Sequence, residues 1–342
     1  MIKRFLFLIV AIIGLTLIPC ITLGAETFYE GKMIRIIVGY SPGGGYDIYA
    51  RAIARHMLKH IPGHPAIIVE NMPGAGGLIS ANHLYRVAKP DSLTMAHFNG
   101  GLFFNQLMGE PGIEFDSRKF EYIGAAVTGY VVCLLSKASG ITNIDKWMAS
   151  KTPVKMGGVA PGAFSPDNCT RILKVALGLP IQLVSGYKGI SEVRLATESG
   201  ELAGTVGAWY GVRASWRKVI ETGDVVVVLQ ATPNPFLDHP NVPLAINLAK
   251  TKEARQLIEA GIHSNGVFTW PFVLPPATPK ERVQILRKAF QETLKDKEFL
   301  AEAEKAKLAL DPVTGDELEK AIAEIFKIDS AIVAQFKEIL FK

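Results

Sequence analysis

What most constrains this chain is a repeated unit, in which a short apolar run rich in β-branched residues leads into a glycine-rich turn and then a helical pattern. Residues 38–57, "VGYSPGGGYDIYARAIARHM", form one copy, and residues 69–87, "VENMPGAGGLISANHLYRV", form a second. Short strands that alternate with helices need crossover connections, and crossovers generate parallel sheets with helices on their faces. The pattern points to an α/β fold.

The unit recurs along most of the chain. Strands are expected at 33–38, 66–69 and 93–98, with helices at 48–59 and 78–87 between them. After 120–127 the pattern restarts, with strands at 131–135, 154–157, 181–184 and 204–208 and helices at 143–150, 169–177 and 191–199. A proline-rich stretch, "VVVVLQATPNPFLDHPNVP", follows; one more strand is expected at 267–274, then helices at 279–294, 297–307 and 315–337. The 342 residues exceed what a single core usually serves, so two lobes are expected, with the helical tail completing the first.

Residues 1–25 carry Lys3 and Arg4, a long apolar run, and small residues near Gly24 and Ala25, the layout of a cleaved secretory leader. A transmembrane anchor is the competing reading, although Gly14 and Pro19 interrupt the run. Lipid attachment at Cys20 is a third, which Pro19 fits poorly. Loss of Lys3 and Arg4 takes Lys+Arg from 37 to 35 against 32 acids, so the exported chain carries about +3 rather than +5. Its basic residues are scattered, and no nucleic-acid partner is expected. Cys133 and Cys169 remain, either paired in an oxidising compartment or buried as thiols.

A turn between the carboxyl end of a strand and the start of a helix exposes unpaired backbone N–H groups. Glycine lets that backbone approach a ligand closely, and the helix dipole favours an anion. Gly43, Gly44 and Gly45, then Gly74, Ala75, Gly76 and Gly77, then Asn99 and Gly100 supply three such turns in the first lobe. A dinucleotide fingerprint needs a further glycine that "SPGGGYDIYA" lacks, and a P-loop needs a lysine that "GGGYD" lacks. Asp47 is open to two roles, as an N-cap accepting from the following N–H groups or as a direct contact to ligand. A β-branched residue at Gly44 is expected to abolish ligand-dependent stabilisation.

Four stretches together, "IRIIVGYSPGGGYDIYARAIARHM", "IIVENMPGAGGLISANHLYRVAKPDSLTM", "VSGYKGISEVRLATESGELAG" and "FVLPPATPKERVQILRKAF", are similar to the periplasmic substrate-binding proteins of tripartite tricarboxylate transporters, the Bug receptors. The resemblance implies a periplasmic-binding-protein fold of the Venus flytrap type: two lobes, each a mainly parallel sheet flanked by helices, joined by two hinge crossings near 125–129 and 230–232. It divides the exported chain into 26–126 with 231–342 as the first lobe and 127–230 as the second. It also implies a small organic carboxylate, aliphatic or aromatic, closed between the lobes, and delivery to the permease subunits of a membrane transporter. Neither cofactor nor metal is implied, and a monomer is expected. The resemblance places the anion seat on 43–47 and 74–78, with Ala163, Phe164, Ser165 and the Tyr187-Lys188-Gly189 loop added by the second lobe; Trp209, after strand 204–208, stands by its position at another second-lobe cleft loop.

Two departures keep the ligand open. Where many relatives read S-P-S-H, this chain has Ser165-Pro166-Asp167-Asn168, and it has "HFNGGLFFNQ" where relatives often carry G-T-S-G-T. Lys188 is either a cation for a distal carboxylate or a solvated surface group, and Tyr187 either a cleft donor or packing. Trp209, Tyr210, Phe164, Phe103 and Trp270 either wall the cleft or fill cores. Catalysis lacks its parts, since there is no G-x-S-x-G elbow and no H-E-x-x-H spacing. His56 and His60, four apart, read as a solvated helix face more than as a metal pair. Two other functional classes stay open: a ligand sensor for a signalling kinase, and an enzyme on the same scaffold.

Overall fold

The computed structural model describes residues 28–160, 163–236 and 238–341. The expected leader at 1–25 lies outside the described residues. The chain builds two sheets. The first has the order β11-β4-β10-β3-β1-β2, from β1 (Met33–Val38), β2 (Ala66–Asn71), β3 (Thr94–His97), β4 (Glu121–Ala125), β10 (Pro271–Leu274) and β11 (Val313–Thr314). The second has the order β7-β6-β8-β5-β9, from β5 (Val131–Ser136), β6 (Val154–Gly157), β7 (Ile181–Val184), β8 (Gly204–Ala208) and β9 (Val225–Ala231).

The βα units pair in parallel, as their crossovers require: β1 with β2 and β3, and β6 with β7 and β8. The remaining pairs are antiparallel: β10 with β3 and β4, β11 with β4, and β5 with β8 and β9. Both sheets are therefore mixed, although most strands of each still point one way. Helices cover both faces of β1, so Ile36, Ile37 and Val38 are fully buried and the strand reads as a continuous apolar run.

The second lobe extends further along the chain than the sequence suggested. β9 ends at Ala231, yet residues 245–263 stay with the second sheet, where Ala245, Leu257, Ile258 and Ile262 join its core. The chain returns to the first sheet only at β10. There the two connections run side by side, with the Gly129 N–H donating to the Gly266 carbonyl at 2.7 Å. The expected helix at 315–337 is broken in two, Gly315–Ile325 and Ser330–Phe341. Asp329 accepts from the Ala331 N–H at 2.7 Å and starts the second piece. That last helix does not simply complete the first lobe: Phe336 packs edge-on against Phe104 at 5.2 Å, and Val333, Phe336 and Leu340 enter the second core.

Candidate functional site

The carboxyl ends of β1, β2 and β3 face those of β6, β7 and β8 across a seam, the place where open α/β sheets take ligands. β1 runs into the turn that starts the helix Gly45–Met57, with Gly44 at its N-cap, and β7 runs into the turn that starts Ile190–Glu198, with Gly189 at its N-cap. Glycine is required where these turns touch. A Cβ on Gly45 would lie 2.5 Å from the Gly211 Cα, one on Gly189 would lie 2.6 Å from the Ser41 Oγ, and one on Gly76 would lie 3.2 Å from the Ala163 Cβ. The lobes are closed on each other.

The seam holds a cavity of about 50 Å³, room for roughly three or four waters. The first lobe contributes Tyr40, Gly44, Gly45, Tyr46 and Trp270; the second contributes Ser165, Ile190, Ala208, Gly211 and Val212. Three rings form one slab: Tyr46 stacks on Trp270 at 4.1 Å between centroids and on Tyr40 at 4.7 Å. Burial raises both tyrosine pKa values well above the ordinary phenol value. As neutral phenols they donate to backbone carbonyls, Tyr40 to Gly76 and Tyr46 to Thr269, both at 2.9 Å. Three buried polar atoms along the seam have no partner: Ser41 Oγ, Ser191 Oγ and Trp270 Nε1. Among the described residues no lysine, arginine or histidine lines the cavity.

One buried aspartate in each lobe shapes its loop. Asp47 does not cap the N–H groups that follow it. It accepts instead from the preceding Gly43 N–H at 2.9 Å, from Arg51 Nε at 3.0 Å and from Asn71 Nδ2 at 2.8 Å. Burial alone would raise its pKa, but the bonds from Arg51, Gly43 and Asn71 outweigh that and hold it below the usual carboxylate value. Asp167, fully buried, accepts from the Val159 N–H at 2.6 Å, the Ala160 N–H at 3.2 Å and the Ser185 hydroxyl. Here burial dominates and pushes the carboxyl up to about 6.

The sign of the resulting pH dependence follows. Between the unfolded value near 4 and about 6 the folded protein holds the extra proton, so this group's contribution to stability falls as pH rises through that window and levels off above it. Asp167→Asn removes the titration. Its measured destabilisation relative to wild type, by urea melts, is expected to be larger at pH 5 than at pH 7; a difference independent of pH would contradict the assignment.

The sequence-derived residues divide clearly. Gly44, Gly45 and Ser165 line the cavity, while Gly43, Gly76 and Gly189 sit on the seam beside it. Gly74, Ala75, Gly76 and Gly77 have four successive positive φ values, 137°, 45°, 63° and 96°, which explains a turn so rich in glycine. Asn99 accepts from the Gly101 N–H at 2.7 Å, Gly100 packs directly on the Phe268 carbonyl, and Gly101 packs on Phe164 of the second lobe. A Cβ on Gly44 would meet nothing closer than 3.5 Å, whereas Gly45 has no room.

Four side chains point elsewhere. Phe164 is 1% exposed and lies in the second core against Gly101, because the adjacent helix Cys169–Leu177 draws it under the loop. Tyr187 turns outward to donate to Glu201 at 2.6 Å, which raises its pKa to about 12. Lys188 is exposed. Trp209 donates its indole N–H to Asp238 at 2.9 Å and packs edge-on against His239. Sequence reasoning missed Tyr40, Tyr46, Ile190 and Gly211. The two tyrosines bracketing "SPGGG" were the available signal for the first pair, whereas nothing local marks the second.

Elsewhere, Cys133 and Cys169 are buried free thiols, pushed up by burial. His56 bonds Glu302 at 2.8 Å, and the Lys59 ammonium bridges Asp296 at 2.9 Å and Glu298 at 2.7 Å. These groups bring potential ligand atoms within 4.8 Å of one another, but the lysine already neutralises the carboxylates, so the cluster is an ion-pair network. No helix among the described residues is long and apolar enough to cross a membrane.

Two facing α/β lobes with a closed seam define a periplasmic-binding-protein fold. MatC from Rhodopseudomonas palustris with bound malate superposes with a TM-score of 0.70 at 18% identity, over 90% of this chain and 99% of that one. The periplasmic binding protein BugD superposes with a TM-score of 0.71 at 20% identity, over 91% of this chain and 98% of that one. Residues 49–337 match the tripartite tricarboxylate transporter family receptor profile, and the chain belongs to that family. A Cupriavidus necator relative described as "UPF0065 protein in gbd 5'region" is 27% identical over 330 residues, 94% of this chain and 92% of that protein.

Proposed function

We propose that the protein is a periplasmic receptor that closes on a small organic carboxylate and presents it to the permease subunits of a tripartite transporter. The observation that carries this reading is the seam itself. Glycine-rich helix starts from both lobes converge on a cavity at the seam, and one lining residue, Trp270, has a buried indole N–H without a partner. Donors without acceptors in a closed site favour an anionic or strongly accepting ligand. The malate bound to MatC supports the same ligand class here. The hinge would run through 126–130 and 264–270, and the two lobes would rotate about it. Cleavage of the leader would release a monomer into the periplasm, and no step requires a cofactor or covalent chemistry.

A thermal-shift screen over mono-, di- and tricarboxylates tests the reading. A ligand that binds only the folded protein at 100 times its Kd adds about 2.7 kcal/mol to stability. At least one organic acid is expected to raise the melting temperature. A panel in which amines, sugars or nucleosides do so and no carboxylate does would reject the assignment.

A further inference from the structure

We propose that the receptor captures its carboxylate together with a proton, which Asp167 takes up from solvent as the anion is closed into the seam. The inference rests on the carboxylate-receptor reading and adds a regulation to it. Asp167 is a positioning residue: it stands behind the cavity wall and holds the loop that forms it.

Placement supplies the first argument. Ser165 and Pro166 line the cavity, and the next residue, Asp167, is fully buried behind them. Its Oδ2 accepts from the Val159 N–H at 2.6 Å and the Ala160 N–H at 3.2 Å, and Val159 lines the same cavity. A Cβ on Gly158 would lie 2.5 Å from Asp167 Oδ1. A single layer of residues therefore separates this carboxylate from the cavity. An anion in front of that wall and a carboxylate behind it repel each other, and buried surroundings screen the repulsion poorly. A proton on Asp167 removes it.

Hydrogen bonding supplies the second. Both N–H groups go to Oδ2, while Oδ1 accepts from the Ser185 hydroxyl. A hydroxyl both donates and accepts. When Oδ1 gains a proton, Ser185 Oγ turns to accept it, Oδ2 keeps its two N–H donors, and no bond is lost. Asp47 has no such alternative. Its partners, the Gly43 N–H, Arg51 Nε and Asn71 Nδ2, only donate, which fixes it as a carboxylate. The two buried aspartates differ accordingly, since burial pushes Asp167 up to about 6 against the bonds from Ser185, Val159 and Ala160.

The charged and titratable groups around Asp167 leave it this freedom. Arg171, from the helix Cys169–Leu177, acts on it through charge at a distance and is the weakest of its influences. Tyr40, in the first lobe, feels its charge, and Cys169 lies two residues on; burial raises both far above neutral pH, so both are uncharged. The loops after β6 and β7 meet it with main-chain N–H groups and the Ser185 hydroxyl.

Isothermal titration of the full chain with malate, adipate and benzoate decides the matter, with whichever binds wild type tightest carried into every comparison. Binding enthalpies at pH 7 in phosphate and in Tris, buffers of different ionisation enthalpy, count the protons taken up. Wild type is expected to take up about half a proton or more. Its affinity should fall at least about fivefold between pH 6.5 and pH 8.5, because each unit by which the anion raises the Asp167 pKa is worth about tenfold. Asp167→Asn keeps the shape, its amide oxygen accepting from Val159 and Ala160 and its amide nitrogen donating to Ser185, and should lose both the uptake and the fall. Ser185→Ala removes a bond that favours the carboxylate and should move the fall in affinity to higher pH. A wild-type enthalpy independent of buffer, or an uptake that survives in Asp167→Asn, would overturn the inference while leaving a carboxylate receptor intact. If none of the three acids binds, the strongest stabiliser from the carboxylate screen replaces them; if that screen is silent too, both readings fall. Should Asp167→Asn not fold, the wild-type proton count and the Ser185→Ala shift still decide.

Discussion

Gly45→Val is expected to abolish ligand-dependent stabilisation while leaving a folded protein. The reason is steric and confined to the seam. A Cβ at this position would lie 2.5 Å from the Gly211 Cα and 2.7 Å from the Trp270 Cη2. Gly211 belongs to the opposite lobe and presents backbone, which cannot step aside as a flexible side chain can. The valine would therefore hold the lobes apart, and within its own lobe only the Trp270 ring would have to shift. With ligand at 100 times the wild-type Kd, wild type should gain about 2.7 kcal/mol, or about 4 °C in melting temperature, and the variant close to nothing. Gly211→Val should act in the same way from the other side. Gly44→Val should also reduce the shift, because Gly44 lines the cavity and its side chain would occupy the ligand's space without propping the lobes apart. A full-sized shift in Gly45→Val would show that ligand is bound without the closure seen here.

Phe164→Ala is expected to cause the largest loss of stability among the residues that the sequence assigned to the ligand, about 3–5 kcal/mol. Its ring is 1% exposed and packs in the second core with Ile172 and Cys169. Truncation removes the buried area and leaves a cavity that the loop fills only in part. Urea melts should show a lower midpoint with an unchanged slope. The ligand-induced shift should persist, because the ring contributes nothing to the cavity wall. The opposite pattern, intact stability with binding lost, would return Phe164 to the cleft.

Much of the architecture was legible in the chain. Strands Met33–Val38, Val154–Gly157, Ile181–Val184 and Gly204–Ala208 and the helix Cys169–Leu177 fall where periodicity and turn residues place them. The helix Gly101–Met108 escaped notice because eight residues, "GLFFNQLM", are apolar on nearly every side and lack a polar face to set the period. The site was less legible. The S-P-G-G-G-Y and G-A-G-G turns mark where backbone can approach a partner, yet Gly44 and Gly45 look alike in sequence and only Gly45 touches the opposite backbone.

By itself, then, the sequence determined the α/β class, the repeated strand–turn–helix units and the loops able to receive an anion. Those are properties of short-range chemistry, namely hydrophobic period, glycine's access to left-handed backbone, and the free N–H groups at a helix start. Only the tertiary structure decided which glycine meets the opposite lobe, that residues 245–263 stay with the second sheet, and that Tyr187, Lys188, Trp209 and Phe164 leave the cleft to Tyr40, Tyr46 and Trp270. Each of these depends on partners far away in the chain, such as Glu201 for Tyr187, Asp238 for Trp209 and Gly211 for Gly45. A side chain's direction is set by the neighbour it meets, and that neighbour is brought into place only when the two sheets close.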